Sequence, residues 1–257
     1  MHERLDGRIA VVTGASAGIG EAIARDLASH GARVVLNARR KAKLDEVAAR
    51  IGPDRAAIVP GDAADPAVIN AMFDAARRRF GTEADLVVVN AGRGLNGSVT
   101  TSDPEQWEGM IRTNLLAAAR LMREAAARLL ADIENGPGWQ QEAHDIVVIG
   151  SNVGRHISPF SSMYGSTKFA VNSLAEALRR EIGPKGVRVT LIEPGFVRSE
   201  FQGVAGYAED WFAGVVDRIG PVLTPEDVAE LVSFIVSRPP AVNVCDALIR
   251  PTRQDYP

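Results

Sequence analysis

Three side chains in the middle of the sequence have the types and the spacing of a proton-transfer site. Tyr164 and Lys168 stand four residues apart, and Ser151 lies thirteen positions before the tyrosine, after an apolar run at residues 146–149. Residues four apart on a helix share a face, so an ammonium can lie near a phenol and lower its pKa. A serine hydroxyl can hold an oxygen on which negative charge grows. The pattern indicates a tyrosine that donates or accepts a proton.

A glycine-rich loop near the start of the chain has a second chemical meaning. Residues 13–20 read Thr-Gly-Ala-Ser-Ala-Gly-Ile-Gly and directly follow the strand-like residues 9–12. The glycines would let the backbone approach a pyrophosphate closely, and a helix from Ile19 onward would point its positive end at it. A glycine cluster alone also fits a plain strand-to-helix turn, but its place between a strand and a helix indicates a dinucleotide site. Together the two clusters predict hydride chemistry.

Short apolar runs alternate with helical segments, and these elements must position both clusters. They predict strands at residues 9–12, 33–36, 56–59, 86–89, 146–149, 187–192 and 247–249, and helices at 21–30, 41–51, 67–80, 104–130, 160–182 and 228–237. Parallel neighbours need a crossover, and nearly continuous apolar runs indicate strands covered on both faces. The expected fold is α/β, a doubly wound Rossmann-type parallel sheet of about seven strands with helices on both faces. A single domain over residues 1–257 is expected.

Length, charge and composition exclude several classes of protein. The 257 residues are 46% apolar and 24% charged, which is ordinary for a globular domain. Lys and Arg number 29 against 32 Asp and Glu, so the net charge of −3 gives no general attraction to nucleic acid. No run of about 18 apolar residues predicts a membrane span, and residues 1–8 do not resemble a secretory signal. We expect a cytoplasmic protein with a small-molecule substrate and without nucleic-acid or membrane partners.

The cysteine and histidine content gives no indication of a disulfide or a metal site. Cys245 is the only cysteine, which excludes an internal disulfide and fits a reducing compartment. The four histidines are scattered without the spacing of metal ligands. We therefore expect no metal site of the His/Cys type.

The end of the second predicted strand indicates which dinucleotide binds. An acidic residue there would bind the ribose 2′-hydroxyl of NAD, whereas a cation would accept the 2′-phosphate of NADP. Arg39 and Arg40 stand there without a carboxylate, which favours NADP(H), although both could be only solvated charges. After the third strand, Asp62 could accept a hydrogen bond from the adenine amino group. After the fourth, residues 90–92 (Asn-Ala-Gly) are small where backbone must approach a cofactor.

The segment 195–224 has a weaker pattern than the rest of the chain. Glycines interrupt a mildly apolar stretch that contains Phe201, Tyr207, Trp211 and Phe212. A mobile lid over the site and an ordinary surface excursion both explain such a segment, and the lid is the functional interpretation.

The order of these motifs resembles the short-chain dehydrogenase/reductase family. The motifs are Thr13-Gly-x-x-x-Gly-x-Gly20, Asn90-Ala-Gly92, Asn114, Ser151, Tyr164-x-x-x-Lys168 and Pro194-Gly195, and the resemblance covers about residues 8–250. Gly150 before Ser151 and Glu193 before Pro194 depart from the commonest pattern without removing a catalytic group. The tail at residues 238–244 and 249–254 resembles the branch that includes NADP-dependent 3-hydroxy acid and serine dehydrogenases and clavulanic acid dehydrogenase.

The resemblance implies a role for each catalytic side chain. Tyr164 would be the general acid in reduction and the base in oxidation, and Ser151 would hold the substrate oxygen. Lys168 would bind the nicotinamide ribose and depress the pKa of the tyrosine, and Asn114 would shape its helix and hold a water in a relay to Lys168. The expected catalytic residues are thus Asn114, Ser151, Tyr164 and Lys168. The expected NADP-binding residues are Gly14, Ser16, Gly18, Ile19, Gly20, Arg39, Arg40, Asp62, Ala63, Asn90, Ala91, Gly92, Tyr164, Lys168, Pro194, Gly195, Val197 and Ser199.

The substrate is expected to be a small carbonyl or alcohol compound. Polar residues near its predicted position could bind a carboxylate or be rim charges; they are Arg93, Asn96, Arg155, His156, Arg198 and Gln202. The alternatives to an NADP(H)-dependent carbonyl reductase or alcohol dehydrogenase are a reductase of acyl-carrier thioesters and a dinucleotide-binding regulator without turnover. The resemblance also implies a homodimer or homotetramer that forms through the helices at 104–130 and 160–182.

Overall fold

Apolar runs and helical segments alternate in the structure as they do in the sequence. A computed structural model describes residues 5–255 of the chain. The predictions that rest on residues 1–4, which include His2 and half of the segment compared with a secretory signal, lie outside the described residues.

Seven strands and nine α-helices form within residues 5–255. The strands are β1 (Ile9–Thr13), β2 (Arg33–Ala38), β3 (Ala56–Pro60), β4 (Leu86–Val89), β5 (His144–Ile149), β6 (Val187–Pro194) and β7 (Asp246–Ile249). The helices are α1 (Gly18–Ser29), α2 (Lys41–Ile51), α3 (Pro66–Phe80), α4 (Trp107–Ile111), α5 (Ala117–Asn135), α6 (Ser162–Ile182), α7 (Phe201–Val204), α8 (Glu209–Ile219) and α9 (Pro225–Val236).

The strands form one sheet in the order β3-β2-β1-β4-β5-β6-β7, and every neighbouring pair is parallel. The doubly wound parallel fold with seven strands is therefore confirmed. The order of the strands reverses between β1 and β4, because the chain builds outward from β1 in one direction and from β4 in the other. In such sheets the carboxyl ends of these two strands bound the crevice in which ligands bind.

Each strand supplies side chains to two buried cores, one on each face of the sheet. Successive residues of a strand point to opposite faces. Val12 accordingly shares a buried cluster with Ile23 of α1, while its neighbour Val11 shares another with Phe73 of α3 and Leu121 of α5. Coverage on both faces explains why the strands are almost continuously apolar in sequence.

The long helix predicted at residues 104–130 is present as a helical segment that runs to Asn135, but it contains a wide turn that was not predicted. The segment begins with a 3₁₀ turn at Pro104–Gln106, continues through α4, widens into a π-helical turn at Arg112–Leu116 and then becomes α5. The side chain of Asn114, inside the wide turn, is 2% exposed and forms hydrogen bonds to neighbouring segments. Such a π-helical turn often marks a functional position.

A buried ionic cluster closes the sheet at the edge opposite the crevice. Asp145 in β5 accepts two hydrogen bonds of 2.7 Å from Arg188 in β6, and Arg8 bridges Asp145 and Asp85. The side chains of Asp145 and Arg188 are only 2% and 5% exposed. Since a buried charge is stable only with its partner, this cluster fixes the starts of the central strands.

The Asp145→Asn variant should lose about 3 kcal/mol or more of its free energy of unfolding, because Arg188 would remain buried without a compensating charge. Urea denaturation followed by circular dichroism measures this loss. The control is Asp45→Asn, whose partner Lys41 is 65% exposed, so its loss should stay within about 1 kcal/mol. Equal losses for the two variants would contradict the role given to the cluster.

Candidate active site

A cleft of about 1670 Å³ lies at the carboxyl edge of the sheet. Ligand pockets of ordinary proteins measure roughly 300–1,000 Å³, so this cleft has room for more than one small molecule. The loops after β1, β2, β3, β4, β5 and β6 all contribute to its wall. Among the predicted site residues, all except Gly20 and Asn114 line it.

The glycine-rich loop after β1 forms one wall of the cleft. Gly14 and Gly18 have φ values of +67° and +57°, in the left-handed region that favours glycine. A Cβ atom on Gly20 would collide with the carbonyl group of Gly14 and the side chain of Asn90. Helix α1 begins here after Ala17, which offers no side-chain cap to the first N–H groups. The positive end of α1 therefore faces the cleft, as an anion site requires.

Thr13 and Asn90 join the carboxyl ends of β1 and β4. The backbone N–H groups of Asn90 and Ala91 donate to Thr13 Oγ1 at 3.0 and 3.1 Å, and this hydroxyl donates to the carbonyl oxygen of Val88 at 3.2 Å. Asn90 Nδ2 donates to the carbonyl oxygen of Thr13 at 2.8 Å. Asn90 thus lines the cleft but uses its side-chain N–H to hold the two strands together.

The end of β2 presents two arginines and no carboxylate to the cleft. Arg39 has no hydrogen bond or ion pair with any described residue. Arg40 donates to Ser16 Oγ through Nε and Nη2 at 3.3 and 3.2 Å, and to Glu200 Oε2 through Nη1 at 3.1 Å. Asn37, the last buried polar residue of β2, donates to the carbonyl oxygen of Val59. Positive charge therefore dominates this end of the cleft, apart from Glu200.

The turn after β3 also reaches the cleft. Asp62 Oδ1 accepts a hydrogen bond from the N–H of Ala64 at 2.9 Å, and Asp62 Oδ2 forms an ion pair with Arg112 at 3.3 Å. Both Asp62 and Ala63 line the cleft. The predicted contact between Asp62 and an adenine amino group stays a prediction, and its carboxylate already has two partners.

The proton-transfer group lies at the far side of the same cleft. Tyr164 and Lys168 lie one turn apart on α6, and the phenol of Tyr164 lies near the hydroxyl of Ser151, which follows β5. That hydroxyl donates to Asn152 Oδ1 at 3.3 Å. Lys168 Nζ lies 5.9 Å from the centre of the tyrosine ring and donates to the carbonyl oxygen of Ile149 at 3.0 Å. The structure therefore brings these three predicted side chains together.

Burial dominates the pKa of Tyr164 in this structure, and the predicted lowering of that pKa by Lys168 stays a prediction. Burial raises the pKa of Tyr164 above its ordinary value, while the nearby hydroxyl of Ser151 opposes that rise. Burial also lowers the pKa of Lys168 to about 8. The ammonium is directed at the carbonyl oxygen of Ile149, so the tyrosine keeps its proton at neutral pH. Its predicted role as a proton donor stays a prediction.

Asn114 supports the site from behind. Its Oδ1 accepts from the N–H of Arg93 at 2.8 Å, and its Nδ2 donates to the carbonyl oxygen of Arg93 and to Thr167 Oγ1. A Cβ atom on Gly92 would lie 3.4 Å from Asn114 Oδ1 and 3.8 Å from Lys168 Nζ. Asn114 thus fixes the loop after β4 against α6, and its predicted relay to Lys168 stays a prediction.

The two departures from the commonest family pattern belong to one cluster beneath Ser151. Asn172 Nδ2 donates to the buried Glu193 at 2.7 Å, and a Cβ atom on Gly150 would lie 2.5 Å from Asn172 Oδ1. Glu193 also forms an ion pair with Arg155. Gly150 therefore leaves the space that Asn172 needs to reach the carboxylate.

Some candidate substrate-binding residues are directed elsewhere. Arg155 pairs with Glu193 and Asp246, His156 does not line the cleft, and the guanidinium of Arg198 lies over the ring of Phe212. The ion pairs of Arg155 favour the other interpretation of these arginines, rim charges or salt-bridge partners, over carboxylate recognition. Arg93, Asn96 and Gln202 do line the cleft. Their side chains form hydrogen bonds to Gln106, Gly206 and Val197, respectively.

The segment 196–220 forms the roof of the cleft. The ring of Phe201 lies 5.7 Å from that of Tyr164, and Tyr207 stacks on Trp211 at 4.8 Å. The N–H of Asn96 donates to the carbonyl oxygen of Ala205 at 2.8 Å, which fastens the roof to the loop after β4. The sequence indicated aromatic residues here but not where their rings would lie.

Several residues of the cleft were not predicted from the sequence. Tyr207 forms a hydrogen bond with Ser161, and Ser161 donates to Ser158 Oγ at 3.0 Å. Gln254 Oε1 accepts from the N–H of Phe196 at 3.0 Å, so the C-terminal tail holds the start of the roof. Glu200 reaches Arg40 across the cleft. Tyr207 and Glu200 lie in the segment predicted as a lid, and Gln254 lies in the tail that resembles one branch of the family, but only spatial proximity shows these contacts.

Two further properties concern only the residues that the structure describes. No helix in that part of the chain is long and apolar enough to cross a membrane. No group of three or more His, Cys, Asp or Glu side chains within residues 5–255 could hold a metal ion.

Comparison with known proteins identifies relatives of the whole fold. Residues 8–209 match the family model of the short chain dehydrogenases. An uncharacterized oxidoreductase of Staphylococcus aureus (strain MW2) is 33% identical over 247 residues, which cover 96% of this chain and 98% of that protein. The closed form of a serine dehydrogenase complexed with NADP+ has a TM-score of 0.84 and 33% identity, over 96% of each chain. A 3-ketoacyl-(acyl-carrier-protein) reductase from Brucella melitensis complexed with NADH has a TM-score of 0.86 and 27% identity, over 97% of this chain and 99% of that one.

The buried Lys168 should make stability depend on pH. Its pKa of about 8 in the folded chain lies below the value of about 10.4 for an unfolded lysine. Between these values the unfolded chain binds more protons, so the stability of the wild type should rise with pH relative to that of Lys168→Met. Urea denaturation at pH 7, 8, 9 and 10 measures the difference. A constant difference between the two proteins would contradict the lowered pKa.

Proposed function

Since the chain belongs to the short-chain dehydrogenase family, we propose that it transfers a hydride between NADP(H) and a small carbonyl or alcohol substrate. The family membership makes it an oxidoreductase. The observation that carries the finer proposal is the buried Tyr164 phenol, which lies near Ser151 in the same cleft that the glycine-rich loop borders. An acid and a dinucleotide cradle in one cleft are the two parts that reversible carbonyl reduction requires.

The residues of the cleft fit a dinucleotide. Gly14, Ser16, Gly18 and Ile19 would face its pyrophosphate, at the uncapped start of α1. The nicotinamide half would lie along the residues that follow β4 and β6 and beside α6. These are Asn90, Ala91, Gly92, Pro194, Gly195, Val197, Ser199, Tyr164 and Lys168. When bound, the cofactor supplies or accepts the hydride. The hydroxyl of Ser199 already accepts from the N–H of Phe201, so its predicted carboxamide contact would need that bond to change or be shared.

In this proposal Tyr164 donates the proton during reduction and accepts it during oxidation. During reduction the substrate carbon gains a hydride, and Tyr164 donates its proton to the substrate oxygen, so that the carbonyl becomes an alcohol. The raised pKa of Tyr164 keeps the phenol protonated before the reaction. Ser151 donates a hydrogen bond to the oxygen as negative charge develops there. In the oxidation direction Tyr164 accepts the proton, and the positive charge of the oxidised cofactor and of Lys168 then favours its phenolate.

The preference for NADP(H) rests on Arg39 and Arg40. Both line the cleft at the end of β2, and the residues at the end of this strand include no carboxylate that could bind a ribose 2′-hydroxyl. Guanidinium groups match phosphate oxygens in charge and geometry. The related structures contain either dinucleotide, since the serine dehydrogenase was complexed with NADP+ and the ketoacyl reductase with NADH. The positive charge of Arg39 and Arg40 is the observation that supports the proposed preference for NADP(H).

The roof of the cleft favours a small substrate that is covered by a lid. Residues 195–224 would cover the substrate, with Phe201 and Tyr207 closest to the reacting group. A second candidate is a longer acyl thioester. It is favoured by the apolar residues at the rim of the cleft, since Phe160, Val204 and Trp211 are 73%, 60% and 46% exposed. A regulator without turnover would have no use for a buried acid.

Assembly and location are further parts of the proposal. The surface of the segment around α4, α5 and α6 exposes Ile111, Leu116 and Phe169, which are 36%, 44% and 39% accessible. A homodimer or homotetramer would bury them. A cytoplasmic location is consistent with the exposed, unpaired Cys245.

Tyr164→Phe should lower the rate of carbonyl reduction by a factor of about 10²–10⁴, because the general acid is lost. NADPH oxidation would be followed at 340 nm against a panel of small ketones, oxo acids and 3-oxoacyl thioesters. NADPH affinity, measured by fluorescence titration, serves as the control and should remain within about threefold, since only one hydroxyl is removed. Equal rates for the wild type and the variant would exclude Tyr164 as the acid.

Arg39→Asp should lower the ratio of kcat/KM for NADPH to that for NADH by roughly 10- to 100-fold, because charge-assisted hydrogen bonds to the phosphate would be lost. Steady-state kinetics with both cofactors measure the ratio. Lys43→Asp is the matched control, since it makes the same charge change one turn further along α2 and outside the cleft. Unchanged selectivity in Arg39→Asp would show that the cofactor assignment is wrong.

A further inference from the structure

Arg40 and Glu200 form an ion pair that crosses the cofactor end of the cleft. Arg40 precedes α2, and Glu200 immediately precedes α7, the first helix of the roof. Arg40 Nη1 lies 3.1 Å from Glu200 Oε2, and the other side of the guanidinium donates to Ser16 Oγ. One cation therefore connects the end of β2, the glycine-rich loop and the roof.

The start of the roof lies close to the glycine-rich loop. A Cβ atom on Gly18 would lie only 3.4 Å from Cβ of Ser199, the neighbour of Glu200. The side chains of Arg40 and Glu200 are 51% and 58% exposed, so water can reach both. Exposed ion pairs of this kind are weak and exchange partners readily.

We propose that Glu200 is a cofactor-selectivity residue whose carboxylate competes with the 2′-phosphate of NADP(H) for Arg40, so that phosphate binding releases the start of α7. This inference rests on the proposed function, because it concerns the same cofactor. NAD(H) has no 2′-phosphate and leaves the ion pair intact. Glu200 therefore opposes NADP(H) binding but not NAD(H) binding, and the release links the choice of cofactor to the roof.

The charges around Arg40 support this competition. A 2′-phosphate carries up to two negative charges, and next to Arg40 it would lie within a few ångströms of the Glu200 carboxylate, where like charges repel. The guanidinium offers five N–H donors, but three of its nitrogens already donate to Ser16 and Glu200. Arg39 has no partner among the described residues, so it can donate hydrogen bonds to the phosphate without losing an existing contact. Arg40 is the cation for which the two anions compete.

The test measures binding of NADPH and NADH to the full-length protein by isothermal titration calorimetry at low ionic strength. Glu200→Gln should bind NADPH roughly two- to fivefold more tightly than the wild type, which is the range expected when a weak exposed ion pair is removed. Its affinity for NADH should not change. In the Arg40→Ala background the Glu200→Gln substitution should have no effect, because the contested cation is absent. Glu230→Gln, an exposed change on α9 outside the cleft, is the control for charge alone.

Hydrogen–deuterium exchange tests the release of the roof. Adding 2′,5′-ADP, which carries the 2′-phosphate without nicotinamide, should increase amide exchange in residues 199–207, whereas 5′-AMP should not. Unchanged NADPH affinity in Glu200→Gln, or an equal gain for NADPH and NADH, would overturn the competition. Unchanged exchange with saturating 2′,5′-ADP would overturn the release. If the wild type bound neither dinucleotide, the proposed function itself would fail, and this inference with it.

Discussion

The junction between Thr13 and Asn90 is the constraint on which the rest of the site depends. One hydroxyl accepts two backbone N–H groups at the end of β4 and donates back into β4, while Asn90 returns a bond to β1. These two strands border the point at which the sheet reverses its order. Gly14 and Gly20 can pack against Asn90 only because they lack side chains. Close packing of the backbone at the carboxyl ends of β1 and β4 therefore produces the crevice between the two halves of the sheet.

The floor of the cleft, which is formed by the loops after β4 and β5 and by α6, is held in a different way from the roof. The floor is fixed by buried polar contacts: Asn114 binds the backbone of Arg93, and Lys168 binds the carbonyl oxygen of Ile149. Such contacts are strong in a dry environment and costly to leave unmade. The roof is held mainly by aromatic contacts and a few hydrogen bonds. The proposed division follows from these contacts: the floor would determine the type of reaction, and the roof would adapt to the substrate.

Much of the fold could be predicted because its signals are local. The boundaries of α2 and β4 match the prediction, since turn residues and an apolar run mark them in the sequence. The π-helical turn around Asn114 could not be predicted, because it accompanies hydrogen bonds to segments distant in sequence. For the same reason the sequence did not reveal that Arg155 pairs with Glu193. Motif residues gathered in one cleft as expected, but the partners of each charge required the structure.

The position of Gln254 has a consequence for how the protein matures. The sheet up to β6, the glycine-rich loop and the helix that carries Tyr164 all precede residue 195, so they can assemble early during synthesis. Gln254 nevertheless binds the N–H of Phe196, and a side chain on Gly195 would collide with it. The beginning of the roof therefore receives its last support only after residue 254 has left the ribosome. A nascent chain can therefore contain every residue of the floor while the roof over the cleft is still incomplete.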